Sequence, residues 1–257
     1  MSRRWLIGPR RPQARAVLVA LPHAGGSAGV YRSWQSWFGD AVEVLAVQYP
    51  GHSSRFSEPL PTDCRSLAGD ITATLLPVLG RPLTLFGHSL GGIIAFEVAA
   101  ALEQNGTPAA RLIVSGSPPP DAPCRDPTRS NQTDDEIVTA LRGMGGPNTA
   151  LDDPELRQLL LPVLRSDLRM GESYRPASVA PLATPIAAFG GDADTLAPPG
   201  EMARWRGFTT DVFDHLTFPG GHFYLHDVSA GDVTTRLAAM LSAPAPAPRA
   251  GDLHAAD

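Results

Sequence analysis

A serine lies between two glycines in the stretch Gly87-His88-Ser89-Leu90-Gly91. A short apolar run, 83–86, precedes this stretch, and a helix-like pattern follows it until Asn105 and Gly106. A G-x-S-x-G pattern between a strand and a helix is typical of a nucleophile elbow, where a strained turn exposes the serine and leaves no room for side chains two residues away. The simpler alternative is a glycine-rich turn with a capping serine. We expect Ser89 to be a nucleophile.

A serine hydroxyl needs a base, which in this class of elbow follows the serine along the chain, after an acid. His222 comes after the strand-ending stretch 218–221, which can place an imidazole in the site. His215 falls at the beginning of the strand before it, and His226 does not complete a zinc-binding H-E-x-x-H pattern because Phe223 occupies the position of the acid. We therefore expect His222 to be the base.

Two acids follow the apolar run 185–189, in the loop Gly190-Gly191-Asp192-Ala193-Asp194. We expect Asp194 to orient the histidine, because its spacing of three from Gly191 matches the G-x-x-D turn of many hydrolases. Asp192 remains the alternative, since loop registers are poorly read from sequence. The acid that does not orient the histidine would cap the turn.

A tetrahedral intermediate needs preorganised hydrogen-bond donors for its oxygen. The backbone N–H of Leu90, directly after the nucleophile, is one expected donor. We expect the other to be the N–H of Ala24, in the glycine-rich loop 21–27 that follows the first strand candidate. This loop has neither the G-x-x-x-x-G-K nor the G-x-G-x-x-G pattern of phosphate-binding loops.

The composition excludes several kinds of chemistry. All 21 basic side chains are arginines, so a phosphate-loop lysine and a pyridoxal Schiff base are impossible. The two cysteines, Cys64 and Cys124, do not form a close-spaced metal or redox motif. We expect no metal and no cofactor. The net charge of −5 and the absence of interleaved basic and aromatic residues argue against nucleic acid as a partner.

Short apolar runs rich in branched residues alternate with longer helix-like patterns, which is typical of a parallel sheet flanked by helices. We expect an α/β-hydrolase fold with a mostly parallel central sheet and a single domain over residues 1–242. The strand candidates are Ala16–Leu21, Val42–Val47, Leu83–Phe86, Arg111–Ser115, Pro185–Phe189 and Thr210–Phe218.

The strand signal disappears over about 118–182, which predicts a helical lid insertion. Thr133 with Glu136 forms a capping box, and Asp153 with a following proline starts a second helix that Pro162 should kink. The apolar stripes of these helices either pack on the sheet or line an acyl tunnel. The proline-alanine stretch 243–257 predicts a disordered tail.

The N-terminus resembles a twin-arginine export signal only superficially, because Gly8 and Pro9 interrupt the apolar stretch that such a signal needs. No run approaches the roughly 18 apolar residues of a membrane span. We expect a monomeric cytoplasmic protein that does not bind a membrane.

Several longer motifs resemble the type II thioesterases, the free-standing editing hydrolases of polyketide and nonribosomal peptide assembly lines. The motifs lie at 22–27, 31–34, 47–51, 81–97, 161–167, 172–174, 190–194 and 220–223. The resemblance implies hydrolysis of acyl thioesters on the phosphopantetheine arm of an acyl or peptidyl carrier protein. The chain departs from the family at His52, which stands where the family commonly has arginine, and at Leu90, which replaces a frequent methionine.

Two other functions share the same residues. A general carboxylesterase or lipase needs the same triad and no carrier protein. A non-catalytic homologue would keep the fold as a ligand pocket, although a nucleophile, an acid and a base in the expected order argue against it.

Overall fold

The computed structural model describes residues 4–146, 149–226 and 230–242. The strands are β1 (Leu6–Ile7), β2 (Ala16–Leu21), β3 (Val42–Val47), β4 (Leu83–His88), β5 (Arg111–Ser115), β6 (Ile186–Gly191) and β7 (Phe213–Phe218). They form one seven-stranded sheet in the order β1-β3-β2-β4-β5-β6-β7, in which only β1 runs antiparallel to its neighbour. The sheet confirms the predicted α/β-hydrolase architecture.

Helices cover both faces of the sheet, so that β2 to β6 are buried on both sides. The helices are α1 (Trp34–Phe38), α2 (Cys64–Leu75), α3 (Leu90–Gln104), α4 (Asp134–Gly143), α5 (Pro154–Ser173), α6 (Pro199–Ala203) and α7 (Ala230–Ser242). Along β2, Val17 and Val19 join the core beneath α2 and α3, while Leu18 and Ala20 join the core beneath α1 and α7.

Strand ends differ from the sequence prediction by a few residues. The ladder of β7 begins at Phe213 and not at Thr210, because Thr209 and Thr210 pair separately with Leu182. β4 continues to His88 and β6 to Gly191, past the apolar runs. The parallel ladder continues through these polar and glycine residues and carries them to the edge where the candidate site lies. The two-residue strand β1 is too short to be recognised from sequence.

Helices α4 and α5 occupy the connection between β5 and β6, where the helical lid insertion was expected. Thr133 and Glu136 form the expected capping box, and Asp153 accepts hydrogen bonds from the first turn of α5. α5 continues through Pro162 as one helix. The apolar stripes pack mainly on one another, in a cluster separate from the two sheet cores: Ile137, Val138, Leu151, Leu161 and Leu164. The tail predicted at 243–257 lies outside the described residues.

Candidate active site

The predicted elbow joins β4 to α3, with Ser89 as the single residue between them. Ser89 has φ 55° and ψ −122°, a region that non-glycine residues rarely occupy and that costs free energy. The close packing explains the flanking glycines: a Cβ on Gly87 would lie 2.0 Å from the carbonyl oxygen of Gly91, and one on Gly91 would lie 2.2 Å from that of Leu21. The serine side chain is thereby held at the end of the sheet.

A continuous hydrogen-bonded chain joins three of the predicted residues. His222 Nε2 lies 3.0 Å from Ser89 Oγ, and His222 Nδ1 lies 2.9 Å from Asp194 Oδ2. Asp194 follows β6 and His222 follows β7, so the ends of adjacent parallel strands bring them to the same edge. In this geometry Ser89 O–H donates to the imidazole, and the imidazole Nδ1–H donates to the carboxylate.

The two acids of the loop after β6 have different surroundings. Asp194 is buried, and its Oδ1 accepts hydrogen bonds from the amides of Leu196 and Ala197 at 2.8 and 3.1 Å. Burial alone would raise the pKa of Asp194, but the hydrogen bond and charge of His222 and the two amides hold it below its usual value. Asp192 is exposed and accepts from the amide of Gly220 at 2.9 Å, so it caps the turn and does not contact the histidine.

The other downstream histidines lie elsewhere. His215 is the third residue of β7 and is exposed. His226 is also exposed, and its ring centroid lies 6.4 Å from that of His23. Neither hydrogen-bonds to Ser89 in the described part of the chain.

The loop after β2 and the first turn of α3 meet at Ser89. Ala24 and Leu90 both line a cavity with Ser89 and His222. Leu90 is the first residue of α3, and the first amides of a helix have no partner within the helix. Among the described residues, the Ala24 amide has no acceptor in the protein. Both N–H groups are thus available to a bound oxygen.

Two buried histidines for which the sequence predicted no role, His23 and His88, lie near His222, and the ring centroid of His88 is 5.0 Å from that of His222. Burial, with smaller effects of His226 and His222, lowers the pKa of His23 to about 3, and burial also holds the pKa of His88 well below its usual value. His88 Nδ1 lies 2.9 Å from Ser115 Oγ, which lies 2.7 Å from the hydroxyl of Tyr224. The inward-facing position of His88 at the end of a buried strand is the signal that could have found it.

A cavity of about 770 Å³ reaches Ser89 and His222. Its walls come from the proline-rich segment 117–127, from the start of α3 and from the last turns of α5. A smaller cavity of about 50 Å³ also reaches Ser89 and His222 and is lined by Leu141, Met144 and Leu164 of the insertion. The apolar stripes of the insertion therefore pack on each other and also line the space beside the nucleophile.

A buried carboxylate of α5 contacts the loop after β2. Asp167 Oδ2 accepts from the amide of Gly25 at 2.7 Å and lies 2.9 Å from His52 Nε2. The sequence predicted no role for Asp167, and it marked His52 only as a departure from the thioesterase pattern. An acid on the apolar face of α5 is the signal that marks it, because a buried acid requires partners.

No cluster of three or more histidine, cysteine or acidic side chains that could hold a metal ion occurs within residues 4–146, 149–226 and 230–242. Within the same ranges, no helix has the length and apolar character needed to cross a membrane.

The chain is similar in sequence to known proteins. Residues 16–243 match the thioesterase domain family. The chain is 39% identical over 224 residues to a probable cadicidin biosynthesis thioesterase of Streptomyces griseus, covering 86% of this chain and 62% of that relative.

Solved structures show the same architecture. The chain superposes on RedJ, a thioesterase from the prodiginine pathway of Streptomyces coelicolor, with a TM-score of 0.85, 34% identity and coverage of 91% of this chain and 94% of that one. It superposes on BorB, a type II thioesterase from the borrelidin biosynthetic cluster, with a TM-score of 0.84, 36% identity and coverage of 92% and 97%.

Proposed function

Because the chain belongs to the thioesterase domain family, we propose that it hydrolyses acyl thioesters held on the phosphopantetheine arm of carrier proteins, as an editing enzyme of polyketide or nonribosomal peptide assembly. The observation that supports this most is the hydrogen-bonded chain from Ser89 through His222 to Asp194 beside a cavity of about 770 Å³. The names of its relatives, which are thioesterases of biosynthetic pathways, support a thioester substrate.

In the first half of the proposed reaction, Ser89 Oγ attacks the thioester carbonyl carbon while His222 Nε2 takes the hydroxyl proton. The amides of Ala24 and Leu90 donate to the oxygen that becomes negative. Removal of one such donor typically costs about 2.7–4 kcal/mol of barrier. The C–S bond then breaks, the thiol leaves with the proton from His222, and the acyl group stays on Ser89 as an ester.

In the second half, a water molecule attacks the acyl ester while His222 takes its proton. The tetrahedral intermediate collapses, the proton returns to Ser89 Oγ, and the free acid leaves. Asp194 keeps the Nδ1 proton on the imidazole in both halves, so that Nε2 faces the reacting oxygen. A thiolate leaves more readily than an alkoxide, so the first half needs less acid assistance than ester or amide cleavage.

The two cavities that meet at Ser89 suggest how a thioester would lie. The larger one has the volume for a pantetheine arm or an extended acyl group, while the smaller one, lined by Leu141, Met144 and Leu164, offers an apolar space beside the nucleophile. We further propose that the enzyme acts as a cytoplasmic monomer. Light scattering of the purified protein would test its oligomeric state.

The decisive test compares three substrates with the same acyl group: its thioester on a phosphopantetheinylated carrier protein, its thioester with N-acetylcysteamine, and an oxygen ester of matched size. We expect kcat/KM to fall in that order. An oxygen ester hydrolysed as well as its thioester would favour the general esterase. Equal kcat/KM for the first two would remove the carrier protein from the proposal.

The Ser89→Ala variant is the control for catalysis, because it removes the hydroxyl and leaves the fold intact. A fluorophosphonate should label the wild-type chain at Ser89 and leave the variant unlabelled. A wild-type chain that neither reacts with the probe nor hydrolyses any of the three substrates would be the non-catalytic homologue.

A further inference from the structure

A buried carboxylate connects α5 of the insertion to the loop beside the nucleophile. We propose that Asp167 is a positioning residue that holds the Ala24 amide in place for the oxyanion, and thereby couples the position of α5 to catalysis. The inference rests on the proposed function, since it assigns a cause to the geometry of one proposed donor. Asp167 is fully buried and accepts from the Gly25 amide at 2.7 Å, across 142 residues of chain.

The contact acts directly on the backbone of Ala24. The Gly25 N–H belongs to the peptide group that follows Ala24, so its hydrogen bond fixes the backbone on the carboxyl side of the proposed donor. Gly25 has φ +72°, a conformation that glycine adopts without strain. A turn bond from the Gly26 amide to the His23 carbonyl, at 2.9 Å, closes the loop around the same two residues.

α5 also supports the loop through packing. A Cβ on Gly25 would lie 3.2 Å from Leu164 Cδ1, and Leu164 and Asp167 are three residues apart on one face of the helix. Gly171, one turn further along α5, would place a Cβ 3.4 Å from Leu90 Cδ1. The helix therefore touches both segments that carry a proposed donor, and a displacement of α5 would break the bond to Gly25.

His52 holds the carboxylate in place. Its Nε2 lies 2.9 Å from Asp167 Oδ2, and its Nδ1 lies 2.8 Å from the carbonyl oxygen of Pro50. Both ring nitrogens face acceptors, which suits an imidazolium with two N–H groups. Burial alone would lower the pKa of His52, but the hydrogen bond and charge of Asp167 and the carbonyl of Pro50 raise it above 6.5. The Gly25 amide and His52 share Oδ2, and an amide N–H bonds more strongly to a carboxylate oxygen than to a neutral acceptor.

A purely structural role does not account for the whole arrangement. Asp167 Oδ1 is buried and has no hydrogen-bond partner in the described part of the chain. An apolar residue of similar size would fill this position without an orphaned oxygen, and burying such a group is unfavourable. What the carboxylate adds is a directed acceptor for the Gly25 amide next to the reacting centre.

The test uses N-acetylcysteamine thioesters and the variants Asp167→Leu and Asp167→Asn. Leucine cannot accept from Gly25, so we expect kcat to fall roughly 100-fold with KM within about threefold, because a misplaced donor loses transition-state binding. Asparagine keeps a neutral acceptor, and we expect a loss of roughly tenfold. The affinity of a trifluoromethyl ketone that mimics the tetrahedral intermediate should fall in parallel with kcat.

Glu103 provides a matched control, because its carboxylate also accepts backbone amides, those of Ala183 and Thr184, but at the far end of α3. Glu103→Leu should lower the melting temperature and leave kcat and inhibitor affinity unchanged. If Asp167→Leu behaves like Glu103→Leu, Asp167 is a structural residue and the proposal is wrong.

Two further measurements decide the matter if Asp167→Leu does not fold. The His52→Gln variant keeps the carboxylate of Asp167 but removes its imidazole partner, and we expect a several-fold lower kcat at constant KM. Wild-type kcat in both His52→Gln and Asp167→Asn would overturn the proposal. The Gly25 amide proton should shift upfield in Asp167→Asn by NMR, whether or not thioesters are turned over. An unchanged shift would contradict the hydrogen bond itself.

Discussion

Replacement of Asp194 by asparagine tests which of the two acids in the loop after β6, Asp192 or Asp194, orients the catalytic histidine. In the structure Asp194 Oδ1 accepts from two amides while Oδ2 accepts from His222 Nδ1. The carbonyl oxygen of an asparagine should keep the two amide donors, which turns its NH2 group toward Nδ1. The imidazole must then move its proton to Nε2, and it can no longer accept the proton of Ser89.

The expected magnitude follows from this tautomer. The equivalent substitution in a serine protease lowers kcat about 10⁴-fold, which corresponds to about 5.4 kcal/mol of barrier. We expect a similar loss for Asp194→Asn, measured by release of N-acetylcysteamine with a thiol reagent, and a KM within a few-fold of wild type because the acid does not contact substrate.

Asp192→Asn is the matched control. Asp192 is exposed and accepts one amide, that of Gly220, and asparagine accepts that bond equally well. We expect kcat within about twofold of wild type, as for other surface substitutions. An Asp194→Asn variant that keeps more than about a tenth of wild-type kcat, or an equal loss in both variants, would refute the assignment.

Three further predictions concern stability. Ser89→Gly removes the strain at φ 55° and should raise the melting temperature by about 2–4 °C while abolishing turnover; a lower melting temperature would show that the turn is not strained. Gly91→Ala places a Cβ 2.2 Å from the Leu21 carbonyl oxygen and should destabilise the fold by about 2 kcal/mol or more in urea titration, whereas Gly69→Ala, with nothing within 4 Å of its Cβ, should not. The raised pKa of His52 stabilises the fold fully below about pH 6.5, and this stability is lost as the pH rises through that pKa. His52→Gln should therefore remove part of the fall in melting temperature with rising pH, and identical profiles would contradict the buried ion pair.

Local sequence patterns predicted the parts of the fold that local physics determines. The capping box at Thr133 and the start of α5 at Asp153 form as expected, because both depend on residues within one helical turn. The elbow around Ser89 also follows a local pattern, although only Gly87 is required by a contact inside the turn, while Gly91 is required by the distant carbonyl of Leu21. The alternation of short apolar runs with longer helix-like patterns predicted the sheet, while the strand ends were missed where ladder pairing extends past the apolar run.

Residues that act through distant contacts were not visible in the sequence. Asp167 meets Gly25 and His52, which are 142 and 115 residues away, and a spacing pattern does not report which distant segments meet. His88 was passed over because the G-x-S-x-G pattern leaves the residue at its position unspecified. The sequence left two possibilities open for the apolar stripes of the insertion, packing on the sheet or lining an acyl tunnel. Their packing on each other was not predicted, since an amphipathic stripe indicates burial without identifying what covers it.

Trapping the acyl-enzyme shows directly whether Ser89 is the nucleophile. The wild-type chain is mixed with an acyl N-acetylcysteamine thioester, quenched in acid within milliseconds, digested and analysed by mass spectrometry. We expect the acyl mass on the peptide that contains Ser89, and neither adduct nor turnover in Ser89→Ala. An adduct on a different residue, or thioester hydrolysis that persists in Ser89→Ala, would contradict it.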